Sequence, residues 1–371
     1  MKRFILPLLW GILSGLLFMG STGFAKEKPS LSASRMTLKA GDSAFIVLQE
    51  NPNNLVSWSV TSGKKCISLD SAVNYGEQII TAQKPGTAKL VARVGSSRYR
   101  CTIRIKKAKG AKSIVLTASQ IKKAGIRTSG TVKIPGSFRY KKKTYKITAI
   151  APDCLGKKTK MRKLVISKNI RLIGSGAFNN CTGLRQVTLP GRLRYLGTAV
   201  FYKCSSLTTV KLPASMRSIG LNLFDSCKSL TQVSFADGIR SLPTSTFNHC
   251  QSLRTVKLPS TLTYIGKKAF YECVSLPQIT IPDSVTSIHP QFFSGSDTNF
   301  ADGKTTFLWR GQTYTSCAAL LQVSGLIVLF SSMLAVLRAA GLTALLPNRL
   351  AEALASGALE LSSGILLLSG P

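Results

Sequence analysis

KNIRLIGSGAFNNCTGLRQVTLP (168–190), GRLRYLGTAVFYKCSSLTTVKLP (191–213), ASMRSIGLNLFDSCKSLTQVSFA (214–236), DGIRSLPTSTFNHCQSLRTVKLP (237–259) and STLTYIGKKAFYECVSLPQITIP (260–282) are successive copies of one 23-residue pattern. An atypical copy, YKITAIAPDCLGKKTKMRKLVIS (145–167), precedes them, and a partial one, DSVTSIHPQFFSGSD (283–297), follows. Self-similarity at a fixed period is the signature of a solenoid, in which each repeat contacts only its neighbours. A period of 23 leaves no room for a strand, a long helix and two connections, so each rung is expected to be strand-rich with tight turns.

A single rung cannot bury its own apolar side, and stacking supplies the core. Phe178, Phe201, Phe224, Phe247, Phe270 and Phe293 are expected to form one internal column, and Leu184, Leu207, Leu230, Leu253 and Leu276 another. Cys181, Cys204, Cys227, Cys250 and Cys273 recur at the same period. Equivalent atoms on successive rungs lie roughly 5 Å apart, a spacing at which small apolar side chains pack. These cysteines are therefore expected as buried free thiols. Five stacked equivalents cannot all pair as disulfides, and zinc would need non-equivalent ligands to converge.

The pattern Ile-x-x-Ile-x-x-x-Ala-Phe-x-x-Cys-x-x-Leu-x-x-Val-x-Leu-Pro resembles the BspA-type leucine-rich repeat of bacterial surface proteins. The first rung departs from it, with Leu155 in the Phe column, Lys158 in the Cys column and Cys154 at the Ala position, as in an atypical terminal rung. The resemblance implies adhesion or ligand binding at a cell surface and brings no catalytic residue with it.

Towards the N-terminus, residues 108–144 read as a linker and a cap, because an uncovered first rung would expose its apolar face. The stretch KKAKGAK (106–112) is basic, and Tyr140-Lys141-Lys142-Lys143-Thr144-Tyr145 is turn-like. Residues 26–107 hold short apolar runs at sandwich spacing, among them Phe45-Ile46-Val47-Leu48, Ile79-Ile80-Thr81-Ala82 and Cys101-Thr102-Ile103-Arg104-Ile105. Leu38-x-x-Gly41, Trp58, Ala82-x-Lys84-Pro85-Gly86-Thr87-Ala88 and Tyr99-x-Cys101-x-Ile103 resemble the group 2 bacterial Ig-like domain, which implies a stalk or spacer. Trp58 is read as a core plug, and a Cys66–Cys101 bridge is left open.

The two ends read differently. Met1-Lys2-Arg3, an apolar run from Phe4 to Met19 and Gly23-Phe24-Ala25 compose a signal peptide, residues 1–25. Residues 298–316, with Thr306-Phe307-Leu308-Trp309 and Gln312-Thr313-Tyr314, read as closing strands. Residues 317–371 are hydrophobic. The stretch 318–337 carries no charge over twenty residues and is long enough to span a bilayer, which would anchor the exported protein. Leu321 to Phe330 and Leu359 to Ile365 resemble an internal stretch of YlbJ-type sporulation membrane proteins, related to nucleoside-recognition domains. That match allows an alternative in which the tail is the functional part, and a join of two genes near Ser316 is the other possibility.

The fold class expected is thus mainly β: an Ig-like β-sandwich, then a leucine-rich-repeat solenoid (145–297), then an α-helical membrane tail. Charge is concentrated in the body. From Lys26 to Ser316 there are 46 Lys+Arg against 12 Asp+Glu. Such a body is suited to anionic cell-wall or host-surface polymers, or to host proteins; export and the lack of a nucleic-acid motif argue against nucleic acid. One basic feature keeps register with the repeat: Arg171, Arg194, Arg217 and Arg240 follow the first apolar residue of successive rungs, giving way to Thr263 and Thr286. Four planar donor forks about 5 Å apart are suited to phosphate, sulfate or carboxylate. A solvated basic face is the plainer explanation. His249 and His289 stand outside any nucleophile–acid constellation, and no phosphate loop, HExxH or CxxC occurs, so no enzyme, metal or cofactor is expected.

Overall fold

The computed structural model describes residues 29–49, 56–70, 76–108, 110–289, 292, 306–309 and 312–314. The expected signal peptide and hydrophobic tail lie outside these residues, as does Phe293. Among the described residues no helix is long and apolar enough to cross a membrane.

The N-terminal body is a two-sheet β-sandwich. Its strands are β1 (Ser30–Leu31), β2 (Arg35–Lys39), β3 (Ser43–Gln49), β4 (Ser57–Ser62), β5 (Ile67–Leu69), β6 (Glu77–Ala82), β7 (Gly86–Val94) and β8 (Ser97–Lys106). One sheet has the order β1-β3-β6-β5 and the other β2-β8-β7-β4, with β2 and β8 parallel and the remaining pairs antiparallel. β8 alternates buried and exposed residues from Cys101 to Lys106, as one solvated face requires. Ala44, Ile46 and Ile80 of the first sheet meet Leu90, Cys101 and Ile103 of the second in the core, and half-buried Trp58 packs against it. Cys66 and Cys101 are both free thiols.

The cap comes next. β9 (Lys112–Leu116) leads into the short helix α1 (Ala118–Ile121), then β10 (Gly130–Ile134), β11 (Ser137–Tyr140) and β12 (Lys143–Ile150). β11 and β12 form an antiparallel hairpin whose two-residue turn, Lys141-Lys142, is left-handed at φ 47° and 61°. That is the backbone a two-residue hairpin turn demands, here supplied without glycine. Phe138 and Tyr145 are cross-strand partners with ring centroids 5.2 Å apart, and they pin the register.

Each rung then contributes to three ladders. β10, Met161–Ile166, Gln186–Thr188, Thr209–Lys211, Gln232–Ser234 and Thr255–Lys257 form one six-stranded sheet, parallel throughout. β11, β12, Leu172–Ile173, Tyr195–Leu196 and Ser218–Ile219 lie in order in a second, and Ser241–Leu242, Tyr264–Ile265 and Ser287–Ile288 carry the same columns on. The third ladder runs through the turns: the Phe201 N–H, for example, donates to Leu223 O at 3.1 Å, and the Phe224 N–H to Thr246 O at 2.9 Å. The solenoid closes on Gln278–Ile281, which pairs with Thr306–Trp309, itself antiparallel to Gln312–Tyr314.

Phe178, Phe201, Phe224, Phe247 and Phe270 are fully buried and stack with centroids 5.8, 5.7, 5.6 and 5.4 Å apart. Buried Phe292 sits one column earlier, since its carbonyl accepts the Phe270 N–H, the place held by Ala269 one rung before. Cys204, Cys227 and Cys250 show no exposure at all.

Candidate binding surface and the seam beside it

The arginine column starts from backbone register. The Arg194 N–H donates to Arg171 O at 2.7 Å and the Arg217 N–H to Arg194 O at 2.9 Å; farther on, the Thr263 N–H donates to Arg240 O at 2.7 Å. Arg171, Arg194, Arg217 and Arg240 therefore stand on successive rungs, and all four are exposed. They are not equivalent. The Arg217 guanidinium turns back on its own rung, donating from Nη1 to Met216 O at 2.9 Å and Ala214 O at 3.2 Å. Its fork is partly spent on the fold, a distinction the repeat pattern alone does not carry.

The next residue in the rung decides what the column borders. Leu172 and Tyr195 turn outward from the solenoid, yet Tyr195 is buried and Leu172 half-buried, because the sandwich covers them. Phe45, Val47 and Ile79 of β3 and β6 pack there against Val115, Ala149, Ala151 and Tyr195. The sheet β1-β3-β6-β5 thus has its own core on one side and the solenoid on the other. The spacer expected from sequence is seated against the cap and first rungs. The KKAKGAK stretch does not hold the two apart: β9 begins at its last lysine, the Ser113 N–H donates to Asp42 Oδ1 at 2.8 Å and the Val115 N–H to Ser43 Oγ at 2.9 Å.

At the centre of this seam is a carboxylate with no precedent in the sequence pattern. Glu77 is fully buried. The Ser175 N–H donates to its Oε2 at 2.9 Å and Oε1 at 3.1 Å, the Ser175 hydroxyl to Oε1 at 2.8 Å, and the Tyr195 hydroxyl to Oε1 at 3.0 Å. Ser175 Oγ in turn accepts the Thr198 N–H at 2.9 Å, so its proton is committed to Glu77. Gly197 makes room: a Cβ there would lie 2.4 Å from Glu77 Oε1. Burial raises the Glu77 pKa to about 7 against the pull of these donors, and nearby Asp153 adds to the rise. The donors are 98 and 118 residues away in sequence, which is why no local motif announces the site.

The cysteine column is chemically quiet. Each thiol donates to the carbonyl of the Phe column one rung back: Cys204 to Phe178 at 3.3 Å, Cys227 to Phe201, Cys250 to Phe224 and Cys273 to Phe247 at 3.1 Å. Burial pushes the Cys181 thiol up to about 11 and the Cys204 and Cys250 thiols well above the ordinary range. Among the described residues no group of three or more His, Cys, Asp or Glu is placed to hold a metal.

Residues 148–273 and 218–302 match the family model of the BspA type Leucine rich repeat region, in 6 copies. The rungs resemble leucine-rich repeats. The leucine-rich-repeat solenoid is similar to a leucine rich cell surface protein of Faecalibacterium prausnitzii A2-165, at 28% identity and a TM-score of 0.42 over 49% of this chain and 48% of that one. The T. pallidum leucine rich repeat protein is 24% identical, with a TM-score of 0.34 over 41% of this chain and 79% of its own. A leucine-rich repeat protein of Bacteroides ovatus ATCC 8483 is 21% identical, with a TM-score of 0.28 over 46% and 58%. The match to the Faecalibacterium protein spans about half of that protein's length. No curated protein matches the chain.

Proposed function

We propose that this is an exported, non-enzymatic cell-surface binding protein whose leucine-rich-repeat solenoid binds anionic cell-wall or host-surface polymers, or protein partners, through its basic side. The observation that carries the reading is the arginine column: four exposed guanidiniums in rung register on a chain of formal net charge +36. The N-terminal charged, apolar and small-residue sequence supports export, and the solenoid supports a binding role rather than catalysis. The hydrophobic segment 318–337 supplies the membrane anchor in this reading, and the sandwich, of group 2 Ig-like type, braces the first rungs.

The experiment is polymer binding by the full chain as a function of salt. Arg171→Gln with Arg194→Gln removes the two forks that border the sandwich seam. Affinity for a sulfated or phosphorylated polymer should fall, and the log–log salt slope should flatten by about 2, one unit per lost contact. Lys106→Gln with Lys107→Gln removes the same charge from the linker and should cost less. Equal losses from the two pairs would reduce the column to general charge.

A further inference from the structure

The strongest concentration of charge is not on the arginine column. Between residues 106 and 168 there are 19 Lys+Arg and a single acid, Asp153. Within the cap, residues 113–152, there are nine basic residues and no acidic one, and all nine are exposed. Charge of one sign packed this closely opposes folding unless something outside the chain screens it.

Two of these side chains converge on one ring. Lys123, just after α1, and Lys141, in the hairpin turn, each place Nζ 5.9 Å from the Tyr140 centroid. By the triangle inequality the two ammonium groups are at most about 12 Å apart. Both lie within cation–π reach of the ring, which attracts each of them. They come from separate elements, and the hairpin that carries Tyr140 is fixed from beneath by the Phe138–Tyr145 pair, which packs on the solenoid core. The result is a preorganised cationic platform at the edge of the second sheet, where β11 is the terminal strand.

We infer that this hairpin platform, Lys123, Tyr140 and Lys141 with Lys142 and Lys143 beside them, is a docking site for a linear polymer bearing sulfate or phosphate groups. It rests on the polyanion reading above but uses different residues. Two ammonium groups gathered at one ring, with further lysines beside them, suit oxyanions spaced along a flexible chain. A bilayer is the poorer occupant, because interfacial docking also needs an inserting apolar side chain, and the one large hydrophobic residue exposed among those described is Val274, far along the solenoid. Nucleic acid is the poorer occupant as well. Its sequence-tolerant binding relies on open aromatic faces for stacking, whereas this ring is engaged by ammonium groups. Lysines beside an edge strand also deter strand pairing, and that role alone would need no ring between them.

The test is binding of the full chain to a heparin oligosaccharide and, in a second arm, to inorganic polyphosphate. Lys123→Gln with Lys141→Gln should weaken at least one of them about tenfold, and Tyr140→Leu severalfold, while Tyr140→Phe keeps the ring and binds as the parent does. Lys228→Gln with Lys257→Gln removes equal charge from exposed positions on later rungs and should cost under about threefold. Equal losses from the two lysine pairs, or a Tyr140→Leu protein that binds normally, would overturn the site. So would binding to anionic phospholipid vesicles or single-stranded nucleic acid that depends on the Lys123–Lys141 pair while polymer binding does not. Loss from the hairpin pair with none from Arg171→Gln and Arg194→Gln would keep this site and sink the arginine column; the reverse would do the opposite. An unaltered chain that binds neither polymer sinks both.

Discussion

Glu77 makes the stability of the sandwich–solenoid seam depend on pH, with a sign opposite to that of a salt-bridged carboxylate. Its pKa moves from 4.5 to about 7 on folding. The folded protein therefore holds a proton that the unfolded chain has released between about pH 4.5 and 7, and stability falls as pH rises through that window. Below pH 4.5 the stabilisation is fully present; above pH 7 it is lost. At 1.36 kcal/mol per unit, the difference comes to about 3 kcal/mol. The neutral acid keeps its place because the Tyr195 hydroxyl, 3.0 Å away, can rotate to accept the new proton.

Glu77→Gln mimics the protonated form at every pH. Burial also shifts other groups, Asp70 upward and His289 downward, so the useful quantity is the difference between parent and variant. Urea unfolding followed by tryptophan emission, from pH 4 to pH 8.5, should show the parent losing about 3 kcal/mol relative to Glu77→Gln, a midpoint shift of about 1 M for an m value near 3 kcal/mol per molar. A parent–variant difference that stays flat across pH would refute the argument. It would mean that the donors of Ser175 and Tyr195 outweigh desolvation and keep the carboxylate ionised.

Gly197→Ala should open the same seam, since its Cβ would meet both Glu77 Oε1 and Ser175 N at 2.4 Å; faster amide exchange in β6 and at Tyr195, with the later rungs unchanged, is the expected signature. Phe224→Ala, in the middle of a stack with neighbours 5.7 and 5.6 Å away, should cost about 3–5 kcal/mol by thermal or urea unfolding. Alkylation of the native protein should spare the buried repeat cysteines, reaching half-buried Cys66 at most among the eight described thiols, and denaturant should release all of them; rapid native labelling of Cys227 would count against its burial.

The repeat is legible because its period forces every column at once: reading Phe224 as internal commits Phe201 and Phe247 too. The seam is partly legible. Phe45-Ile46-Val47-Leu48 contains no polar residue, and a strand facing water on one side alternates, so β3 already carries the mark of a sheet covered on both faces. Phe45 and Val47 are buried against the solenoid, Ala44 and Ile46 in the sandwich core. What covers the second face is not written locally, because the donors to Glu77 lie 98 and 118 residues away, on the rungs. The arginine column illustrates the opposite limit. Register places four arginines in line, but only the turn geometry of rung four tells that Arg217 spends its fork on Ala214 and Met216.

Why a thiol should occupy each rung can be argued from a single carbonyl. Phe201 O accepts the Cys204 N–H of its own rung at 3.1 Å and, at 3.1 Å, the thiol of Cys227 one rung on. The thiol therefore ties neighbouring rungs together where no strand does, while sulfur fills the space beside the Phe stack. Packing and bonding predict different orders of substitution. If sulfur only fills space, Cys227→Ala costs a small cavity, and Cys227→Ser costs more, because it adds a hydroxyl to desolvate. If the bond to Phe201 O matters, the serine hydroxyl inherits it as a stronger donor, and Cys227→Ser is the milder change by about 1 kcal/mol. The 3.1 Å contact, repeated at Cys250 and Cys273, favours the second order. Urea midpoints of the two variants decide it: a serine protein less stable than the alanine one would leave the column as packing alone.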